Sequence, residues 1–132
     1  MPPPPPVSRI LVVDDESSVR ESVGYALEQE GFEVTLAADG EDAEGKLTDD
    51  HYDLLILDIM MPGKSGLVLL KEQRAQGNAC EMVLSTAFAD LDMAIEALRA
   101  GAGDLLLKPF RVTQVLSSIQ QGPERARLKR EN

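Results

Sequence analysis

The chain has 132 residues, 43% hydrophobic and 27% charged, with a formal net charge of −10. That length allows one domain with a real core and excludes a second full one, since a compact unit takes ~100 to 150 residues. No apolar run approaches the ~20 residues of a membrane span, the single cysteine, Cys80, excludes an internal disulfide, and no secretory leader pattern opens the chain, so the expectation is a reducing cytoplasm.

At the N-terminus "MPPPPP" offers no backbone donors at its prolines and nothing to pack, so residues 1–8 read as an extended, disordered tail. From Arg9 on, short apolar runs alternate with longer amphipathic ones. The strand candidates are "ILVV" (10–13), "EVTLA" (33–37), "LLILD" (54–58), "MVLST" (82–86) and "DLLLK" (104–108). Several are apolar without interruption, as strands covered by helices on both faces are. Between them, Val19, Val23, Ala26 and Leu27, then Leu91, Ala94, Ile95 and Leu98, then Val112, Val115, Leu116 and Ile119 make apolar stripes at helical spacing. Segments 41–50 and 65–76 are weaker helices, the first because Gly45 costs about 1 kcal/mol in a helix interior. Gly31, Gly40, Ser65 with Gly66, and Asp90 punctuate the helix boundaries.

Five βα units follow, and crossovers of this length join parallel strands into a doubly wound α/β domain over residues 9–121. "GP" at 122–123 is expected to break the fifth helix, leaving residues 122–132 as a basic linker or a cut helix leading toward an output domain. Arg111, Arg125, Arg127, Lys129 and Arg130 make this end positive against an acidic body, which lacks the basic surface a nucleic acid requires.

In an open parallel sheet, ligands gather outside the carboxyl ends of the strands. There the first strand is followed by Asp14, Asp15 and Glu16, the third ends on Asp58, the fourth on Ser85 and Thr86, and the fifth runs into Lys108. Three convergent carboxylates repel unless a cation holds them, and hard oxygen donors with waters retained describe a magnesium site. One carboxylate can then act as a nucleophile, with the Thr86 hydroxyl and the Lys108 ammonium as donors to an incoming phosphoryl group. Each residue has a plainer reading alone: Asp14 and Asp15 as helix caps, Thr86 as a β-branched strand residue, Lys108 as a surface lysine at a turn. Those readings do not explain four strand ends at once, so the set reads as phosphoryl transfer onto Asp58.

The motifs "VVDDE" (12–16), "LDIMMPGKSG" (57–66), "STA" (85–87) and "KPF" (108–110) resemble, in order and spacing, those of the receiver domain of bacterial two-component response regulators. The resemblance implies a flavodoxin-like five-stranded parallel sheet in the order 2-1-3-4-5 with five helices. It also implies a signalling switch, not an enzyme with an external substrate, in which Asp58 accepts a phosphoryl group from a sensor histidine kinase. Asp15, Asp58 and the main-chain carbonyl of Met60 would bind magnesium, with Asp14 acting mainly through water. Thr86 would swing toward the phosphoryl group, Lys108 would pair with it, and the Lys108-Pro109 peptide would be cis. The added charge would bias a rearrangement of the fourth helix, fifth strand and fifth helix that controls an output domain or a downstream protein. A homodimer through the fourth and fifth helices stays open.

Departures from the family pattern are specific. Leu105 stands where many members carry Tyr or Phe, which puts coupling through an aromatic rotamer in question. Met60 and Phe88 flank the site where relatives are often polar, an apolar pair expected to hinder a hydrolytic water and prolong the phosphoryl state. Ser65 replaces an Asp as helix cap. His51 reads as a surface residue and Cys80 as a small residue at a strand edge. Two alternative functions are a metal-dependent phosphohydrolase, which would want an acid where Met60 stands, and an interaction module independent of phosphorylation. A flavin or nucleotide site would want a glycine-rich loop where "DDESS" places anions.

Overall fold

Strand and helix alternate through the computed structural model, which describes residues 7–131 and their side chains as far as Gln121. The elements are β1 (Arg9–Val13), α1 (Ser17–Gln29), β2 (Glu33–Ala37), α2 (Gly40–Asp49), β3 (Leu54–Asp58), α3 (Gly66–Ala75), β4 (Glu81–Thr86), α4 (Leu91–Arg99), β5 (Asp104–Leu107) and α5 (Val112–Glu131). A 3-10 turn, Phe88–Asp90, precedes α4. All strand pairs are parallel, in the order β2-β1-β3-β4-β5, as expected.

The apolar runs of the three inner strands, β1, β3 and β4, are buried on both faces because each strand alternates its side chains between two helical layers, while the edge strands β2 and β5 are partly exposed. Ile10, Val12, Leu54 and Ile56 pack with Val23 and Leu27 of α1 and Val115 and Ile119 of α5. Leu11, Val13, Leu55 and Leu57 face the other way, onto Ala43 of α2, Leu69 and Leu70 of α3, and Ala94 and Ala97 of α4. Fully burying one such leucine is worth about 1.5–3 kcal/mol, and this double core holds the sheet ends in place.

Three helices end in the same way. At α1, Gly31 takes φ +96, its N–H donates to Glu28 O, and the Phe32 N–H donates to Leu27 O, which satisfies carbonyls the helix leaves open. Gly77 after α3 and Gly101 after α4 repeat that arrangement. The expected cap at Asp90 is absent as a side-chain bond, because the 3-10 turn leads the chain into α4 instead.

Two boundaries differ from expectation. Val7 packs against the α1/α5 layer, and Ser8 donates through N and Oγ to Asp53 Oδ2 at 3.0 Å each, so these residues belong to the domain rather than to the tail. The remaining tail, residues 1–6, lies outside the described residues. At the other end α5 runs unbroken across Gly122-Pro123 to Glu131. A proline forfeits the bond of its missing N–H, but the good helix formers that follow it carry the helix on.

Candidate functional site

The four strand ends converge. Asp14, directly after β1, is 3% exposed, and Asp58, the last residue of β3, is 4% exposed. Asp15 is exposed beside them, and one carboxylate oxygen from each of the three lies within 4.8 Å of the others. Lys108 enters from β5 with Nζ 3.1 Å from Asp14 Oδ2 and 3.1 Å from Asp58 Oδ2. Thr86 is buried at the end of β4, and its Oγ1 donates to Ala87 O at 3.1 Å, not to the carboxylates. The Lys108-Pro109 peptide is cis, and Lys108 N donates to Thr86 O at 2.8 Å, tying the two strand ends together.

Local bonds set these orientations. Asp14 Oδ1 accepts from Glu16 N at 2.9 Å, so this aspartate does bond at the helix start while its other oxygen faces Lys108. Arg20 Nη1 donates to Asp14 O at 2.7 Å and holds the β1–α1 turn. Met60 N donates to Asp58 Oδ1 at 3.3 Å. Ser65 caps α3, accepting from Val68 N at 3.2 Å. Gly66 lies so close to the end of β3 that a Cβ would stand 2.2 Å from Asp58 O.

Electrostatics follow from this packing. Burial, and then the charge of Asp14, push the Asp58 carboxyl from its usual 3.8 up to about 7 against the opposing pull of Lys108. For Lys108, burial disfavours the ammonium, but Asp58 and Asp14 outweigh it and raise its pKa. One lysine facing two buried carboxylates, with a third beside them, leaves a surplus of negative charge. A hard dication with oxygen ligands fits that surplus.

Sequence reasoning named Asp14, Asp15, Asp58, Thr86 and Lys108, and the structure brings all five to one end of the sheet. It missed the bond from Arg20 to the Asp14 carbonyl, which depends on how α1 lies on β1, and the close approach of Gly66, whose only sign was its place after Ser65. Met60 and Phe88 are 46% and 76% exposed, at the open side of the loops that follow β3 and β4. His51 is exposed, and Cys80 sits just before β4 with burial pushing its thiol up to about 12. No helix among the described residues is long and apolar enough to cross a membrane.

The strand order and the polar residues beyond the carboxyl ends define the class: flavodoxin-like α/β domains that carry their chemistry at one edge of a doubly wound sheet. The family described as the response regulator receiver domain matches residues 10–120, and the chain belongs to it. Among similar proteins, the regulatory protein AtoC of Escherichia coli strain K12 is 37% identical over 95% of this chain and 27% of AtoC. The response regulator MprA of Mycobacterium avium strain 104 is 38% identical over 85% of this chain and 49% of MprA. The transcriptional regulatory protein DltR of Streptococcus agalactiae serotype III (strain NEM316) is 36% identical over 94% of this chain and 55% of DltR. The chain thus spans about half the length, or less, of these curated relatives. A solved receiver domain protein from Clostridium thermocellum has a TM-score of 0.85 at 31% identity, covering 92% of this chain and 98% of its own. The Francisella response regulator 1452 receiver domain has a TM-score of 0.82 at 28% identity, covering 90% and 98%. The general function is that of a response regulator receiver: a phosphorylation switch in a two-component system.

Proposed function

We propose that Asp58 is the phosphoacceptor of this switch and that a sensor histidine kinase, working in the cytoplasm, is the donor. The observation that carries this reading is the Lys108 ammonium 3.1 Å from both Asp14 and Asp58, at a cluster of three carboxylates. An ionised Asp58 oxygen attacks the phosphorus of a phosphohistidine, the N–P bond breaks, and the departing imidazole nitrogen takes up a proton. Lys108 shifts from the carboxylates to an oxygen of the transferred group. Thr86 turns its hydroxyl from the Ala87 carbonyl to donate to another. Asp15, Asp58 and the Met60 carbonyl would hold magnesium, with Asp14 acting mainly through water, and the ion would screen charge on the phosphoryl oxygens.

The rearrangement of Thr86 and Lys108 pulls on the ends of β4 and β5, and the switch is read out on the surface of α4, β5 and α5. Ile95, Leu98 and Leu107 are exposed there, an apolar set suited to an output domain, a downstream protein or a second copy. Leu105 packs against the α2–α4 side of the core, so coupling here runs through aliphatic packing in place of an aromatic rotamer.

Incubation with magnesium and acetyl phosphate tests the assignment. Wild type is expected to gain the mass of one phosphoryl group, and Asp58→Asn none. Labelling of the asparagine variant to the same extent would move the acceptor elsewhere.

A further inference from the structure

Three of the loops at the site carry or meet a basic side chain. Arg20 holds the β1–α1 turn through the Asp14 carbonyl, and Lys108 holds the β5–α5 turn through Asp14 and Asp58. The loop between β3 and α3, residues 59–65, carries Met60 and has its own cation, Lys64.

That loop is fastened at both ends. Ile59 N donates to Ser85 O at 3.0 Å, and Gly66 N closes back onto Ile59 O at 2.9 Å. Between them, Met61 is buried in the core while Met60, Pro62 and Gly63 are exposed, with Gly63 at φ +75, so the loop is packed at Met61 and open on either side of it. The side chain of Lys64 is only 19% exposed, and its Nζ lies 2.6 Å from Glu44 Oε2 of α2 while also pairing with Glu72 Oε2 of α3. Its backbone is pressed against the start of α2, where a Cβ on Gly40 would stand 2.8 Å from Lys64 O. An exposed stretch with a left-handed glycine has much conformational freedom to lose, and a cation gripped from two helices limits it.

We propose that Lys64 is a positioning residue for the acceptor site: clamped by Glu44 and Glu72, it holds the β3–α3 loop so that the Met60 backbone stays in register with Asp58. This rests on the reading of Asp58 and Met60 as parts of that site. Lys64 touches none of the reacting atoms. It acts through the Met60 N–H, which donates to Asp58 Oδ1, and through the Met60 carbonyl.

The test compares Lys64→Ala, the double variant Glu44→Gln/Glu72→Gln and Lys64→Arg with a control, Lys71→Ala. The control breaks the α3–α4 pair of Lys71 with Glu96, also 2.6 Å. Amide exchange at Met60 and Met61 in metal-free protein, and magnesium affinity by calorimetry, are the readouts. Lys64→Ala and the double variant are expected to speed exchange in the loop and weaken magnesium binding about tenfold, as loss of an outer supporting contact does. Lys64→Arg keeps wild-type behaviour, and so does Lys71→Ala. Wild-type exchange and affinity in Lys64→Ala or the double variant would overturn the proposal. If Lys64→Ala does not fold, the double variant, which keeps the lysine, decides. If wild type binds no magnesium and takes no phosphoryl group, the acceptor reading fails, and the exchange measurement still judges the clamp.

Discussion

A carboxylate must be ionised to attack phosphorus, and burial beside Asp14 opposes ionisation of Asp58, the proposed acceptor, even with Lys108 at 3.1 Å. Burial and Asp14 raise its pKa from 3.8 to about 7. The stabilising contribution of the protonated group is full below the unfolded value, shrinks as pH rises, and is gone once the pH passes the folded value of about 7. Metal-free wild type therefore loses stability across that window. Asp58→Asn keeps the shape without the charge and should melt higher than wild type at about pH 8, on the order of 5 °C, with the gap closing at about pH 4. Thermal melts at the two pH values check this, and magnesium should narrow the difference at the higher one. Equal melting temperatures at about pH 8 would remove the electrostatic account. The apolar rim belongs to the same scale: Met60→Asn, placing a polar group where water must approach, should speed dephosphorylation roughly tenfold, or about 1.4 kcal/mol of barrier. An unchanged decay of labelled protein would refute the role given to Met60.

Elements hold the site through contacts that differ between residues of the same type. Gly66 abuts the end of β3, where a Cβ would meet Asp58 O at 2.2 Å and Ile59 Cα at 2.8 Å, both backbone atoms that cannot step aside. Gly45, exposed in α2, has nothing within 4 Å of its Cβ position. Gly66→Ala should cost about 1–3 kcal/mol and slow phosphorylation of Asp58, whereas Gly45→Ala should stabilise by up to about 1 kcal/mol with phosphorylation unchanged. Urea denaturation and acetyl phosphate labelling measure both. Sequence treated these glycines as punctuation and as a weak point, which is as far as local pattern reaches. α2 forms despite Gly45 because Asp39 accepts from Asp42 N at 2.8 Å and Ala43 is buried against the sheet. Gly31 was legible as a helix end. Gly77 and Gly101 were missed because "QGN" and "AGAG" carry no break in apolar spacing to set them apart.

Across the whole molecule, the five strands, the five helices and the layer architecture were legible because uninterrupted apolar runs can only be buried between two helical layers. The candidate site was legible for a related reason. Parallel strands point the same way, so residues that end separate strands arrive at one edge of the sheet whatever lies between them in the chain. Asp14, Asp58, Thr86 and Lys108 could thus be grouped from sequence. The strand order itself came from resemblance, because residues alone do not say which strands are neighbours, and the register of Val13 beside both Ala37 and Leu57 appears only in three dimensions. The continuity of α5 past Pro123 and the docking of Val7 and Ser8 likewise depend on how good helix formers and distant partners such as Asp53 offset a local signal. The amino-acid sequence by itself determined which polar side chains end the strands and so which ones form the candidate site, since that follows from residue type and place along each strand. Tertiary structure alone decided their distances, the raised pKa of Asp58 and the ion pairs of Lys64, since these arise from charges and backbone brought together from far apart in the chain.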